Sequence, residues 1–122
     1  VLGTGGASKA VCLVLADKGI EYLRVSHSGK GELSYEDLTP EIMASHHLIV
    51  NTTPLGMHPN ESAHPPIPYE FLTSAHLLFD LIYNPSTTEF LRRGEMRGAR
   101  ICNGMSMFIH QAEASWRIFH HL

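Results

Sequence analysis

The run Val1-Leu2-Gly3-Thr4-Gly5-Gly6-Ala7-Ser8-Lys9-Ala10 passes from two apolar residues through three glycines straight into an apolar, helix-forming stretch. Glycines lacking Cβ let the chain turn sharply and let an anion approach the backbone N–H groups, while the helix that follows points its positive dipole end at it. That combination is the diphosphate cradle of dinucleotide-binding folds, with Gly3 and Gly5 as the first two motif glycines and Ser8 at the third position, where Gly or Ala is usual. The competing interpretation of the turn alone is tight strand-to-helix packing.

The rest of the chain supports a layered α/β domain. Ala7, Ala10, Val11, Val14 and Leu15 follow the spacing of one helix face, which predicts a helix over 8–18 closed by Gly19. Ile20 to Val25 is a short predicted strand leading to the polar stretch Ser26-His27-Ser28-Gly29-Lys30-Gly31. Thr39-Pro40-Glu41 starts a helix, with proline at its first position, and His47 to Asn51 is a predicted strand. Residues 52–68 carry six prolines or glycines at 54, 56, 59, 65, 66 and 68 and are expected to be irregular. His76 to Ile82 forms the next strand, Thr88 to Arg97 a helix closed by Gly98, Ala99 to Cys102 a strand, and Ser106 to about His120 a last helix. The stripe Met105, Met107, Ile109, Ala112, Trp116 and Phe119 on that helix is expected in the core. Strands alternating with helices predict an α/β, Rossmann-like doubly wound fold, its mainly parallel sheet covered by helices on both faces.

Composition narrows the partners. The 122 residues fit one domain and are 43% hydrophobic, enough for a core. A net charge of −3 with scattered lysines and arginines offers no footprint for nucleic acid. No apolar run approaches the roughly 20 residues of a membrane span, so a soluble, cytoplasmic protein is expected. Cys12 and Cys102 have no framework spacing and are expected as reduced thiols. Only Val1 and Leu2 precede the glycines, where a strand needs about five residues, so the chain is expected to be part of something longer. Among the nine histidines, His46-His47 and His58 with His64 are the metal candidates. Their spacing encodes no ligand clamp, and no metal is expected.

At the end of the second strand, where an acidic residue would accept the ribose 2′-OH of NAD, stand Ser26, His27 and Ser28, followed by Lys30. Without a carboxylate to repel it, a 2′-phosphate is accommodated there, favouring NADP over NAD. Asp80, at a strand end, is read as a structural hydrogen-bond acceptor rather than a general base.

Three further segments make a resemblance specific: Asn51-Thr52-Thr53-Pro54-Leu55-Gly56-Met57, Asp80-Leu81-Ile82-Tyr83-Asn84-Pro85 continuing to Thr88, and Asn103-Gly104-Met105-Ser106-Met107 continuing to Gln111-Ala112. With the glycine turn, their order and spacing resemble the C-terminal, nucleotide-binding domain of shikimate dehydrogenase over nearly the whole chain. The resemblance implies a single NAD(P)-binding domain over 1–122, the C-terminal part of a two-domain enzyme whose N-terminal substrate domain is absent. It implies NADPH-dependent, reversible reduction of 3-dehydroshikimate to shikimate in aromatic amino acid biosynthesis.

By position, the resemblance assigns Gly3, Thr4, Gly5, Gly6, Ala7 and Ser8 to the diphosphate, and Ser26, His27, Ser28 and Lys30 to the adenosine phosphate. Asn51, Thr52, Thr53 and Gly104 line the cofactor path, and Tyr83 and Gln111 contact substrate. Ser26-His27-Ser28 departs from the family's Asn-Arg-Thr, and an imidazole lacks the permanently charged fork of arginine. The family's proton donor, a Lys and Asp pair, belongs to the N-terminal domain, so no catalytic residue is assigned here and the isolated chain is expected to be inactive. A quinate or dual quinate/shikimate dehydrogenase using NAD and a non-catalytic nucleotide-sensing module are the rival readings.

Overall fold

The computed structural model describes residues 1–104. The helix predicted over 106–120, its apolar stripe and Gln111 therefore lie outside the described residues.

Four-residue strands β1 (Leu48–Asn51), β2 (Leu77–Asp80) and β3 (Arg100–Asn103) form a parallel sheet in that order. The registers pair Leu48 with Leu77 and Leu77 with Arg100. Single parallel bridges extend the sheet beyond β1: Leu2 pairs with Asn51, Val25 with Leu2, and Leu33 with Val25. Across the sheet the order is therefore Leu33, Val25, Leu2, β1, β2, β3. Numbered by sequence this is 3-2-1-4-5-6, the doubly wound order.

Helix α1 (Gly6–Asp17) starts two residues earlier than expected, and its buried face is turned by one position. Ser8 and Cys12 are buried and Val11 and Leu15 half-buried, whereas Ala7, Ala10 and Val14 of the predicted stripe face solvent. Leu13 and Val14 are 72% and 55% exposed. Almost every residue from Ala7 to Ala16 is apolar, so periodicity could not select a face; packing on the sheet did.

The strand expected over Ile20–Val25 is reduced to the bridge at Val25. Val25 keeps both bonds to the Leu2 segment, its N–H donating to the Val1 carbonyl and its carbonyl accepting from the Gly3 N–H at 2.8 Å each, while on the other edge the Arg24 N–H donates to the Glu32 carboxylate at 2.8 Å.

Helix α2 (Pro40–Ser45) begins as expected, with Thr39 Oγ1 accepting from the Ile42 N–H at 3.3 Å. Helix α3 (Glu89–Met96) is capped by Thr88, whose hydroxyl accepts from the Leu91 N–H at 3.3 Å. Residues 52–68 contain no regular element, and 3₁₀ turns occur at Tyr35–Asp37 and Tyr69–Phe71. The core gathers Leu2, Val25, Ile49, Leu78, Phe90 and Leu91 from sheet and helix, with Met43, Ile67 and Leu72 from the connections. No described helix is long and apolar enough to cross a membrane.

Candidate nucleotide site

The sheet reverses its winding at Leu2, between Val25 and β1, and the crevice beyond the carboxyl ends of strands at such a point is where α/β folds take ligands. Gly3 lies there. Its N–H donates to the Val25 carbonyl at 2.8 Å, and the Leu2 carbonyl accepts from the Thr52 N–H at 3.0 Å and from the Thr52 hydroxyl. Gly3 has φ +108°, and a Cβ on it would sit 2.6 Å from Thr52 Oγ1, so both backbone and space demand glycine.

Beyond Gly3 the turn is bare. Gly5 caps α1 with no side-chain hydrogen bond, and Cβ atoms built on Gly5 and Gly6 meet nothing within 4 Å. The first-turn N–H groups of Gly6, Ala7 and Ser8 are left for an external acceptor. Ser8 is 1% exposed, and its Oγ has no hydrogen-bond partner among the described residues. A buried hydroxyl without a partner beside an uncapped helix start suits an anionic ligand.

One strand position away, the loop after Val25 is internally tied. Ser26 Oγ and Ser28 Oγ bond each other at 2.7 Å, and the Ser28 N–H donates to Ser26 Oγ at 3.0 Å. His27 is exposed, its ring 4.5 Å from that of buried Tyr35 at 40°. The loop's neck is closed by Arg24, whose guanidinium meets both Glu32 oxygens at 3.0–3.2 Å. That guanidinium holds the Glu32 carboxyl at about 2, well below the usual range. Lys30 is exposed.

On the other side of the switch point, Asn51 and Asp80 form a buried network at the ends of β1 and β2. Asp80 Oδ1 accepts from Asn51 Nδ2 at 3.2 Å and from the Ile82 N–H at 3.0 Å, and Oδ2 from the Thr88 hydroxyl at 2.7 Å. Burial pushes the Asp80 carboxyl above its ordinary value, and these donors pull against it. With Asp80 fully buried and three donors spent on it, it is a structural acceptor. Asn51 is also fully buried, and its Oδ1 accepts from the Thr53 N–H at 3.0 Å and the Thr53 hydroxyl at 2.6 Å. Its side chain thus shapes the 52–53 turn, where Thr52 and Thr53 are half-buried at the carboxyl end of β1.

Tyr83 follows β2 with 46% of its surface exposed. Gly104 is brought beside it. The Gly104 N–H donates to the Ile82 carbonyl at 3.4 Å, and a Cβ at 104 would lie 2.0 Å from the Leu81 carbonyl oxygen. Of the sequence-predicted site residues, the structure thus collects the glycine turn, the 26–30 loop, Thr52, Thr53, Tyr83 and Gly104 along the carboxyl ends of one sheet. Sequence reading missed Tyr35 and the Arg24–Glu32 neck, neither of which left a signal, and it reached Thr88 as a helix start but not as a donor to Asp80.

An apolar cavity of about 240 Å³ lies at the other end of the sheet, lined by Val1, Leu15, Leu23, Leu48 and Ile67 among others and by none of the predicted site residues. Among the described residues no three His, Cys, Asp or Glu side chains converge on a metal-sized site; His58 pairs with Glu61 at 2.9 Å. Cys12 is buried and Cys102 half-buried, the Cys102 thiol donating to the Asn103 carbonyl at 3.7 Å.

A reversed parallel sheet with a glycine turn at its switch point defines a Rossmann-like α/β domain. Within that class the chain is a relative of the shikimate dehydrogenases and corresponds to their C-terminal part. Shikimate dehydrogenase (NADP(+)) of Carboxydothermus hydrogenoformans is 38% identical over 127 residues, covering 91% of this chain and 45% of that protein. The crystal structure of shikimate 5-dehydrogenase from Thermus thermophilus, in complex with NADP(H) and shikimate, superposes with a TM-score of 0.80 at 27% identity. The match covers 99% of this chain and 48% of that one. Quinate dehydrogenase from Corynebacterium glutamicum in complex with NAD superposes with a TM-score of 0.78 at 25% identity, over 99% and 49% of the two chains. No protein-family model matches. The chain spans about half the length of the curated relatives it matches.

Proposed function

We propose that this chain is the NADP-binding part of a shikimate dehydrogenase, a cytoplasmic oxidoreductase of aromatic amino acid biosynthesis that interconverts 3-dehydroshikimate and shikimate. The observation that carries the reading is the uncapped start of α1 at the switch point, with the unpartnered Ser8 hydroxyl beside it. Gly3, Thr4, Gly5, Gly6, Ala7 and Ser8 would hold the diphosphate. Ser26, His27, Ser28 and Lys30 would hold the adenosine end, and Thr52, Thr53 and Gly104 would line the path to the nicotinamide, with Asn51 supporting them. Tyr83 and Gln111 would contact substrate.

The bound cofactor supplies the hydride. The chain's own part is to anchor the diphosphate, orient the two ends of the dinucleotide and present Tyr83 to the substrate. A proton must still reach the alkoxide that develops from the ketone. The three lysines of the sequence sit on α1, just after it and in the 26–31 loop. We assign the proton donor to a Lys and Asp pair in an N-terminal substrate domain, corresponding to the half of the relatives' length that this chain does not span. The chain by itself binds cofactor without turning over substrate.

Thermal unfolding with and without NADP⁺ tests the binding. At a hundredfold excess over Kd, ligand binding adds about 2.7 kcal/mol, a Tm rise of about 5–15 °C for a domain of this size. Gly3→Val should remove the shift; an undiminished shift in that variant refutes the assigned cradle. Steady-state assay with NADPH and 3-dehydroshikimate tests the division of labour, and robust turnover by the chain alone would refute it. A second reading, quinate or dual quinate/shikimate dehydrogenase using NAD, is favoured by one feature: the loop's serine hydroxyls are spent on each other. Tighter binding of NAD⁺ than of NADP⁺ would establish it in place of the first.

A further inference from the structure

The 26–31 loop contains several groups suited to a phosphate, and the structure separates them. Arg24, the nearest guanidinium, is engaged by both oxygens of Glu32, whose low-lying carboxyl stays ionised and keeps it. The Ser26 and Ser28 hydroxyls hold the turn together, and the Lys30 N–H leans on Ser28 Oγ at 3.4 Å. The Lys30 ammonium is exposed with no hydrogen-bond or ion-pair partner among the described residues, so fixing it on a ligand costs side-chain entropy.

His27 is different, because its ring already has a packing partner. Its ring leans on Tyr35, which is 6% exposed and opens the 3₁₀ turn Tyr35–Asp37. That turn is clamped by Ser34, whose N–H and hydroxyl both donate to Asp37 Oδ2, at 2.8 and 3.0 Å. Burial raises the Tyr35 phenol above its ordinary value, so the ring beneath the imidazole stays neutral. The His27 ring is thus exposed to solvent yet held against a fixed, uncharged surface.

We infer that Tyr35 is a positioning residue for nucleotide selection: it seats His27 at the mouth of the loop, and His27 supplies the contact that distinguishes a 2′-phosphate from a 2′-hydroxyl. The inference rests on the nucleotide reading above. A group ordered before binding loses little freedom on contact, which is why a seated imidazole outweighs a free ammonium here.

The test is the ratio of Kd for NAD⁺ to Kd for NADP⁺, measured by calorimetric titration of the protein and its variants. A charge-assisted contact predicts a ratio of about ten in the unsubstituted protein. His27→Ala should bring it to about one, through a larger loss of NADP⁺ than of NAD⁺ binding. Tyr35→Leu should lower the ratio in the same way, and Tyr35→Phe, which keeps the ring, should hold it within about twofold. A general loss of stability weakens both nucleotides together and leaves the ratio alone. A ratio that survives His27→Ala, or that collapses in Lys30→Ala instead, overturns the inference while leaving the nucleotide site standing. Binding of neither nucleotide by the folded, unsubstituted protein overturns both.

Discussion

At the scale of single residues, the same amino acid type does unlike work at different places. Gly3 needs its positive φ and has Thr52 Oγ1 where a Cβ would go, whereas Gly104 is required by space alone, with the Leu81 carbonyl oxygen occupying that position. Backbone cannot swing aside as a side-chain tip can. Gly104→Ala should therefore cost about 1–3 kcal/mol in urea unfolding, the usual range for forcing volume into a packed site. It should also displace Tyr83, two residues beyond Leu81, detectable as a changed tyrosine environment in near-ultraviolet dichroism. Asp80 shows the complementary case. A carboxylate at a strand end is compatible with either a base or a brace, and burial with donors from Asn51, Ile82 and Thr88 makes it a brace.

At the scale of elements, caps were legible and faces were not. Thr39 and Thr88 precede their helices and accept from the third N–H beyond, a relation contained within four residues of sequence. Thr88 has a second task that sequence does not display, donating to Asp80 across eight positions while 1% exposed. Thr88→Ala removes a cap and a donor to a buried carboxylate together, and about 2–4 kcal/mol of stability should go with them. Thr88→Ser keeps both hydrogen bonds and should recover most of that loss in the same denaturation experiment; equal losses would deny the hydroxyl its role. Helix α1 exposes the opposite weakness, since an apolar run offers several equivalent faces and only the sheet beneath selects Ser8, Val11, Cys12 and Leu15. The stretch before Val25 has strand composition yet bridges only at Val25, and the Arg24 N–H goes to the Glu32 carboxylate.

At the scale of the whole molecule, stability depends on carboxylates shifted in opposite directions. Glu32 and Glu89 are held at about 2, chiefly by hydrogen bonds from Arg24 and Arg92. Such groups bind protons more readily when unfolded, so their contribution is complete above the ordinary value of 4.5 and is lost as the pH falls toward 2. Asp80 is raised, so its contribution is complete below its ordinary value of 3.8 and fades as the pH rises through the folded value. Unfolding free energies measured from about pH 6 to about 2.5 should fall with acid, and the Glu32→Gln, Glu89→Gln double variant should fall less steeply. An identical slope would show that these pairs contribute nothing measurable.

The sequence by itself determined the glycine turn, the alternation of strands and helices, the capping threonines and the order of the motifs, because each depends on neighbours within a few residues or on simple periodicity. Tertiary structure alone decided which face of α1 is buried, which donors hold Asp80, that Arg24 belongs to Glu32 and that His27 rests on Tyr35. Those outcomes depend on which groups meet after the sheet has assembled, and on which hydrogen bonds and volumes are then left to be filled.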